Sequence, residues 1–158
     1  MREIVIVKKF TRLVGSSAAV IGLAGTMLIT SATSASADPN FTFNVERSGK
    51  NYSIEVYNNR VRAGFADWNA DPDKSVTPDI PGDALQVRDV LSDGWGIEAI
   101  AVAQVGGSGY RMATTRGHNA VYVSDWKTGN LKENTPIVVQ VCAVKGSKSH
   151  CGSAYGKA

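Results

Sequence analysis

Few residues in this chain stand where side-chain chemistry would need them. His118 lies in Arg116-Gly117-His118-Asn119, and Ser124-Asp125 follows within one strand length. A serine hydrolase needs those three residue types, but its triad is a matter of geometry. The Gly-x-Ser-x-Gly turn that presents a nucleophile is absent from the sequence. The run Asp67-Trp68-Asn69-Ala70-Asp71-Pro72-Asp73 sets oxygen ligands at alternate positions, as a calcium loop does. Asp67, Asn69, Asp71 and Asp73 are thus the calcium candidates. The match ends at the sixth position, which is Pro72 in place of glycine, and at the twelfth, which is Pro78 in place of glutamate. The other reading is a solvated loop whose Asp and Asn residues make turns. No further cofactor is expected.

Cys142 and Cys151 are the only cysteines. They flank Lys145-Gly146-Ser147-Lys148 and read as a disulfide clamping a hairpin. Two cysteines with His150 nearby do not complete a four-ligand zinc site, and the spacing is not Cys-x-x-Cys. Trp68, Trp95 and Trp126 fall at strand ends or turns. Trp95, between Gly94 and Gly96, is expected at the surface. With Lys145 and Lys148 it makes the candidate contact set for a ligand or partner.

The elements that position these residues begin after a targeting segment. Arg2, Lys8, Lys9 and Arg12 precede an uncharged apolar stretch from Leu13 to about Ile29, and Ala35-Ser36-Ala37 follows. That order is the signature of a Sec signal peptide cleaved after Ala37. There is no Arg-Arg pair and no cysteine at the junction, which argues against twin-arginine export and lipoprotein anchoring. The expected organisation is a signal peptide over 1–37 and one domain over 38–158. The mature chain is then secreted, with no stable membrane insertion.

Removing 37 of the 158 residues leaves 121, enough to bury a core. The signal holds four of the 17 basic residues and one of the 14 acidic ones, so the mature chain has 13 of each. The basic character belongs to the signal, and nucleic-acid binding is not expected. Within the domain, residues 38–98 carry net −5 and residues 99–158 carry net +5. Most of the basic residues in the second half, Arg111 among them, read as solvated.

Period-2 alternation marks the strands. Phe41, Phe43 and Val45 alternate with polar residues, then Tyr52, Ile54 and Val56 do the same. Arg60 to Trp68 is a third strand, with Val61, Ala63 and Phe65 on one face. Asn58-Asn59 supplies the tight turn before it. Asn69 to Asp83 holds three prolines and four aspartates and reads as a loop connecting the two sheets. Ala84 to Leu91 is strand-like, and Ile97 to Val105 reads as a strand buried on both faces. A glycine-rich turn at 106–109 leads to Tyr110–Arg116. Strands follow over Ala120–Trp126 and from Ile137, with residues 152–158 as a short edge or a frayed end. About seven to eight strands and no convincing helix predict an all-β, immunoglobulin-like β-sandwich.

Two resemblances bear on this. Leu131-x-x-x-Thr135-x-Ile137-x-Val139-x-Val141 resembles the E-to-F crossing of fibronectin type III and related immunoglobulin-like domains, with Ile137 where a tyrosine usually stands. It implies that Asn130–Cys151 is the F–G hairpin. More broadly, LSDGWGIEA (91–99), TTRGHNAVYVSDWKTGNL (114–131) and VCAVKGSKSHC (141–151) are similar to small exported proteins of filamentous actinomycetes. That resemblance implies compartment and single-domain architecture and carries over no catalytic residues. The functional expectation is a secreted, non-catalytic, monomeric module that binds an extracellular protein or envelope polymer. The alternatives are a small hydrolase using His118 and a secreted inhibitor or toxin-like effector using the clamped lysine loop.

Overall fold

The computed structural model describes residues 38–105 and 109–158, so the signal segment and most of the glycine-rich turn lie outside the described residues. Nine strands are present among those described: β1 (Phe41–Ser48), β2 (Asn51–Asn58), β3 (Val61–Asn69), β4 (Ala84–Asp89), β5 (Gly96–Ala103), β6 (Tyr110–Thr114), β7 (Tyr122–Val123), β8 (Pro136–Lys145) and β9 (Lys148–Lys157). They form an antiparallel five-stranded sheet ordered β1-β2-β3-β4-β7 and an antiparallel four-stranded sheet ordered β6-β5-β8-β9. β3, β4 and β7 take the A-B-E positions of an immunoglobulin sandwich, and β6-β5-β8-β9 take C′-C-F-G. The β1–β2 hairpin extends the A edge, which carries the strand count beyond seven or eight.

The core follows the alternation. Tyr52, Ile54 and Val56 of β2, Leu85 and Val87 of β4, Ile97, Ala99 and Ala101 of β5, and Ile137, Val139 and Val141 of β8 are all buried between the sheets. Trp68 plugs one end, and its Nε1 donates to the Lys157 carbonyl at 3.2 Å. The short residues of β9 are part of the same packing. A Cβ on Gly152 would lie 2.5 Å from the Phe43 ring, and one on Gly156 would run into the Tyr52 ring. The glycines therefore seat the first two strands against the last.

Several expectations are corrected. In β3, Phe65 faces outward and Val61 is exposed. Val56 pairs with Gly64 but Tyr57 pairs with Arg62, so Ala63 is a bulge residue that reverses the face of everything after it. The tight turn is Asn59-Arg60, both at positive φ. β5 is buried on one face only, leaving Glu98, Ile100 and Val102 half-buried on the other. The Pro/Asp loop does not change sheets: Asn69 and Ala84 at its ends are paired. It closes on itself instead, through reciprocal Asp73–Ile80 backbone bonds of 2.8 and 2.9 Å and an Asp83 N–H to the Ala70 carbonyl. The chain crosses sheets between β4 and β5, as B to C does. Residues 148–157 form a full ten-residue strand that pairs with β8 along its length, with a two-residue turn at Gly146-Ser147. The corner without its tyrosine is closed by the Thr135 N–H and hydroxyl on the Lys132 carbonyl, and by Ala158, which bonds to Asn134 and Thr135.

Candidate functional site

The outer face of the five-stranded sheet carries a broad, open groove. Pairing aligns Glu46 with Ser53, Ser53 with Asp67, and Asp67 with Gln86. Beyond β4 the chain 124–127 continues the pairing, with Leu85 and Lys127 exchanging backbone bonds of 3.0 and 2.8 Å. Trp126 lines the same groove as Gln86. One row of side chains thus crosses the sheet from a carboxylate to an indole. It spans about 19 Å at about 4.8 Å per strand spacing. The neighbouring row contains Glu55, Phe65 and Arg88. Val76, Pro78 and Ile80 of the Pro/Asp loop line the same groove, whose volume is about 630 Å³.

The polar groups of this groove are held in place. The Gln86 amide donates to the Ser124 carbonyl at 2.9 Å, which leaves its oxygen to the groove. Burial pushes the Asp67 carboxyl up, against the opposing hydrogen bond from Ser53 and the nearby Arg88 charge. The Arg88 guanidinium lies 4.9 Å from the centre of the Phe65 ring, and its buried Nε has no hydrogen-bond partner among the described residues. Arg47 at the β1 end stacks 5.0 Å over Tyr52 and donates to the Tyr155 carbonyl. The groove's lining includes two acidic residues, Glu46 and Asp67, and two basic ones, Arg47 and Arg88, so its formal charge is balanced.

A second cleft of about 430 Å³ lies at the loop end of the sandwich, where β4–β5, β6–β7 and β8–β9 connect. It brings together several residues singled out in the sequence. His118, Arg116, Trp95 and Lys145 line it, and buried Asp89, its carboxyl raised chiefly by burial, lies at its base. Trp95 is not a surface anchor. It is 9% exposed, packed edge-on to Phe41 at 5.0 Å and to His150 at 5.4 Å. Lys145 Nζ sits 6.0 Å from the Trp95 ring centre. Lys148 pairs opposite Lys145 and is exposed. The two lysines thus flank the two-residue turn above the Cys142–Cys151 disulfide, which is formed across the same hairpin. Arg116 is committed to Glu98 at 2.9 Å and the Gly146 carbonyl at 3.1 Å.

The hydrolase residues are not arranged as a triad. The Ser124 hydroxyl is buried, accepts from the Val87 N–H and donates to the Asp125 carbonyl. The His118 ring stacks on Tyr122 at 3.7 Å, and no hydrogen bond joins it to Ser124 or Asp125 among the described residues. The calcium candidates are dispersed as well. Asn69 spends its amide on the Asp71 and Pro81 carbonyls, Asp71 lies 3.6 Å from Lys50, and Asp73 caps Ser75. No group of three or more acidic, His or Cys side chains suited to a metal ion occurs among the described residues. Arg111, read as solvated, is 6% exposed, with Gly129 against its guanidinium and Trp68 at 5.7 Å.

The outer face of the four-stranded sheet is different again. Tyr110, Val102, Val138 and Tyr155 form one row across it, with Tyr110 and Tyr155 62% and 72% exposed. No family model, no curated protein and no solved structure matches the chain, so function rests on these surfaces alone.

Proposed function

We propose that the protein is exported by residues 1–37, released after Ala37, and acts outside the cell as a non-catalytic module that binds its ligand in the groove of the five-stranded sheet. The disulfide is compatible with an oxidising compartment. The observation that carries the binding reading is the Glu46–Ser53–Asp67–Gln86–Trp126 row, with the Pro/Asp loop lining the same groove. A polar row ending in an aromatic side chain inside a cleft of ligand size is the usual form of a recognition site. The loop-end cleft is the weaker candidate, because Trp95 and Arg116 are already engaged within the fold. A hydrolase at His118 would require Ser124 to give up two backbone hydrogen bonds.

The test uses protein recovered from the medium of an expressing culture. Its intact mass should correspond to a chain beginning at Asp38 with one disulfide. Retention on washed cell envelopes and crosslinking to medium proteins are compared for wild type, Trp126→Ala and Gln86→Ala. Loss of retention in both variants supports the groove. Retention equal in all three, or protein that stays with the cells uncleaved, refutes the reading.

A further inference from the structure

The groove's chemistry narrows the ligand class. Resting on the binding-module reading above, we infer that the groove holds a segment of an uncharged polysaccharide, lying across the strands along the Glu46–Trp126 row.

Three features point there. The floor sets planar polar groups side by side: the carboxyl of Asp67, the amide oxygen of Gln86, whose nitrogen is held by Ser124, and the guanidinium of Arg88. Vicinal hydroxyl groups on a sugar ring present one donor and one acceptor side by side, and such planar groups answer them in pairs. At one end Trp126 adds a flat apolar face with a polarised rim, suited to the C–H face of a sugar ring. Val76 and Pro78 add apolar side chains to the lining of the same groove.

The alternatives fit less well. An extended peptide usually gains affinity by adding to a free sheet edge. This groove lies on a face, where the β1–β4 backbone bonds are already used in the ladder, and the β4 edge is occupied by β7 and residues 124–127. A polyanion would need excess positive charge, but two carboxylates and two guanidinium groups share the groove. A flat apolar partner would find its match on the opposite sheet, around Tyr110 and Tyr155. A row of about 19 Å also fits a chain of several linked rings better than a single small molecule.

Affinity electrophoresis in gels containing amylopectin, galactomannan, hydroxyethyl cellulose or glycol chitin, with heparin as the polyanion, tests the inference. Secreted wild-type protein should be retarded by at least one neutral glycan and not by heparin. Trp126→Ala and Gln86→Ala, checked for unchanged circular dichroism and thermal midpoint, should weaken that binding at least tenfold. Tyr155→Ser, on the other sheet, should bind like wild type. If Trp126→Ala does not fold, Gln86→Ala together with Glu46→Ala decides the matter. No retardation by any neutral glycan overturns the inference. If envelope or protein retention is nonetheless lost in the groove variants, the binding-module reading stands and only the ligand class fails. Retardation by heparin alone, or equally in Tyr155→Ser and Trp126→Ala gels, also overturns it.

Discussion

Replacing Gly156 by alanine tests how the last strand closes the sandwich on the first two. The new Cβ would run into Tyr52 Cε1 and lie 2.9 Å from its Cζ. Tyr52 is 4% exposed and has the Arg47 guanidinium 5.0 Å from its ring centre, so the ring has little room to yield. Overpacking of this kind costs about 1–3 kcal/mol. The lower chain entropy of unfolded alanine offsets about 0.4–1 kcal/mol of that. A net loss of about 1–2 kcal/mol should appear in urea denaturation, with a fall in Tm of roughly 3–10 °C for a domain of this size. The cause is checked by repeating the substitution in two backgrounds. Tyr52→Phe keeps the ring, so the penalty of Gly156→Ala should persist. Tyr52→Leu, which alone costs about 2 kcal/mol, removes the clashing atoms, so most of the penalty should vanish. Tyr52→Phe has a second use, since the phenol is buried without a partner among the described residues and burial pushes its pKa well up. Losing that hydroxyl should be neutral or stabilise by up to about 1 kcal/mol. A Gly156→Ala variant as stable as wild type, or one penalised equally in the Tyr52→Leu background, would refute the seating of β9 on Tyr52.

Three more outcomes follow from the packing. Burial raises the Asp67 carboxyl, so the folded state holds its proton more tightly than the unfolded chain does. Stability is therefore lost as pH rises from the unfolded value of about 3.9 through the folded pKa. Asp67→Asn should raise Tm at neutral pH and leave it unchanged in acid, while weakening groove binding; a variant less stable at neutral pH would contradict this. The Cys142–Cys151 pair closes a loop of ten residues, with a sequence separation of 9, so Cys142→Ala/Cys151→Ala should lose about 2–3 kcal/mol on the chain-entropy account. Its ligand binding should be intact, because the groove lies on the other sheet. Arg111 is buried beside Trp68, with its Nε unpartnered among the described residues and its charge near Asp83. Arg111→Met should stay within about 1 kcal/mol of wild type, while Arg111→Ala should cost about 2–3 kcal/mol by opening a cavity. A cost above that range for methionine would show that the Asp83 charge depends on Arg111.

Local pattern made much of the fold legible. Ile54, Val56, Val139 and Val141 announce strands because alternation is a property of neighbours along the chain. Asn59 and Gly146 mark turns because their backbones accept positive φ. The readings that failed depend on what a segment meets in space. Phe65 faces outward because a bulge at Ala63 shifts the register by one, and nothing local in Arg60–Trp68 marks that shift. Trp95 reads as a surface residue between two glycines, but Phe41 and His150 come over it from other strands. Gly152, Ala154 and Gly156 resemble a loose end until Phe43 and Tyr52 fill the space they leave.

The candidate site divides in the same way. Trp95 and Lys145 are singled out in the sequence as contact candidates on two different turns; the structure puts Lys145 Nζ 6.0 Å from the Trp95 ring centre, with the tryptophan buried. The groove is not visible there as a site. Glu46, Ser53, Asp67 and Gln86 each read as the ordinary polar half of an alternating strand, and Trp126 as a strand end. Alternation determines that such residues share a face within a strand. Only the strand order and the register between β1 and β4 decide that they stand in one row. Those depend on loop closure and packing between segments as far apart as Glu46 and Trp126, where the sequence carries no local signal.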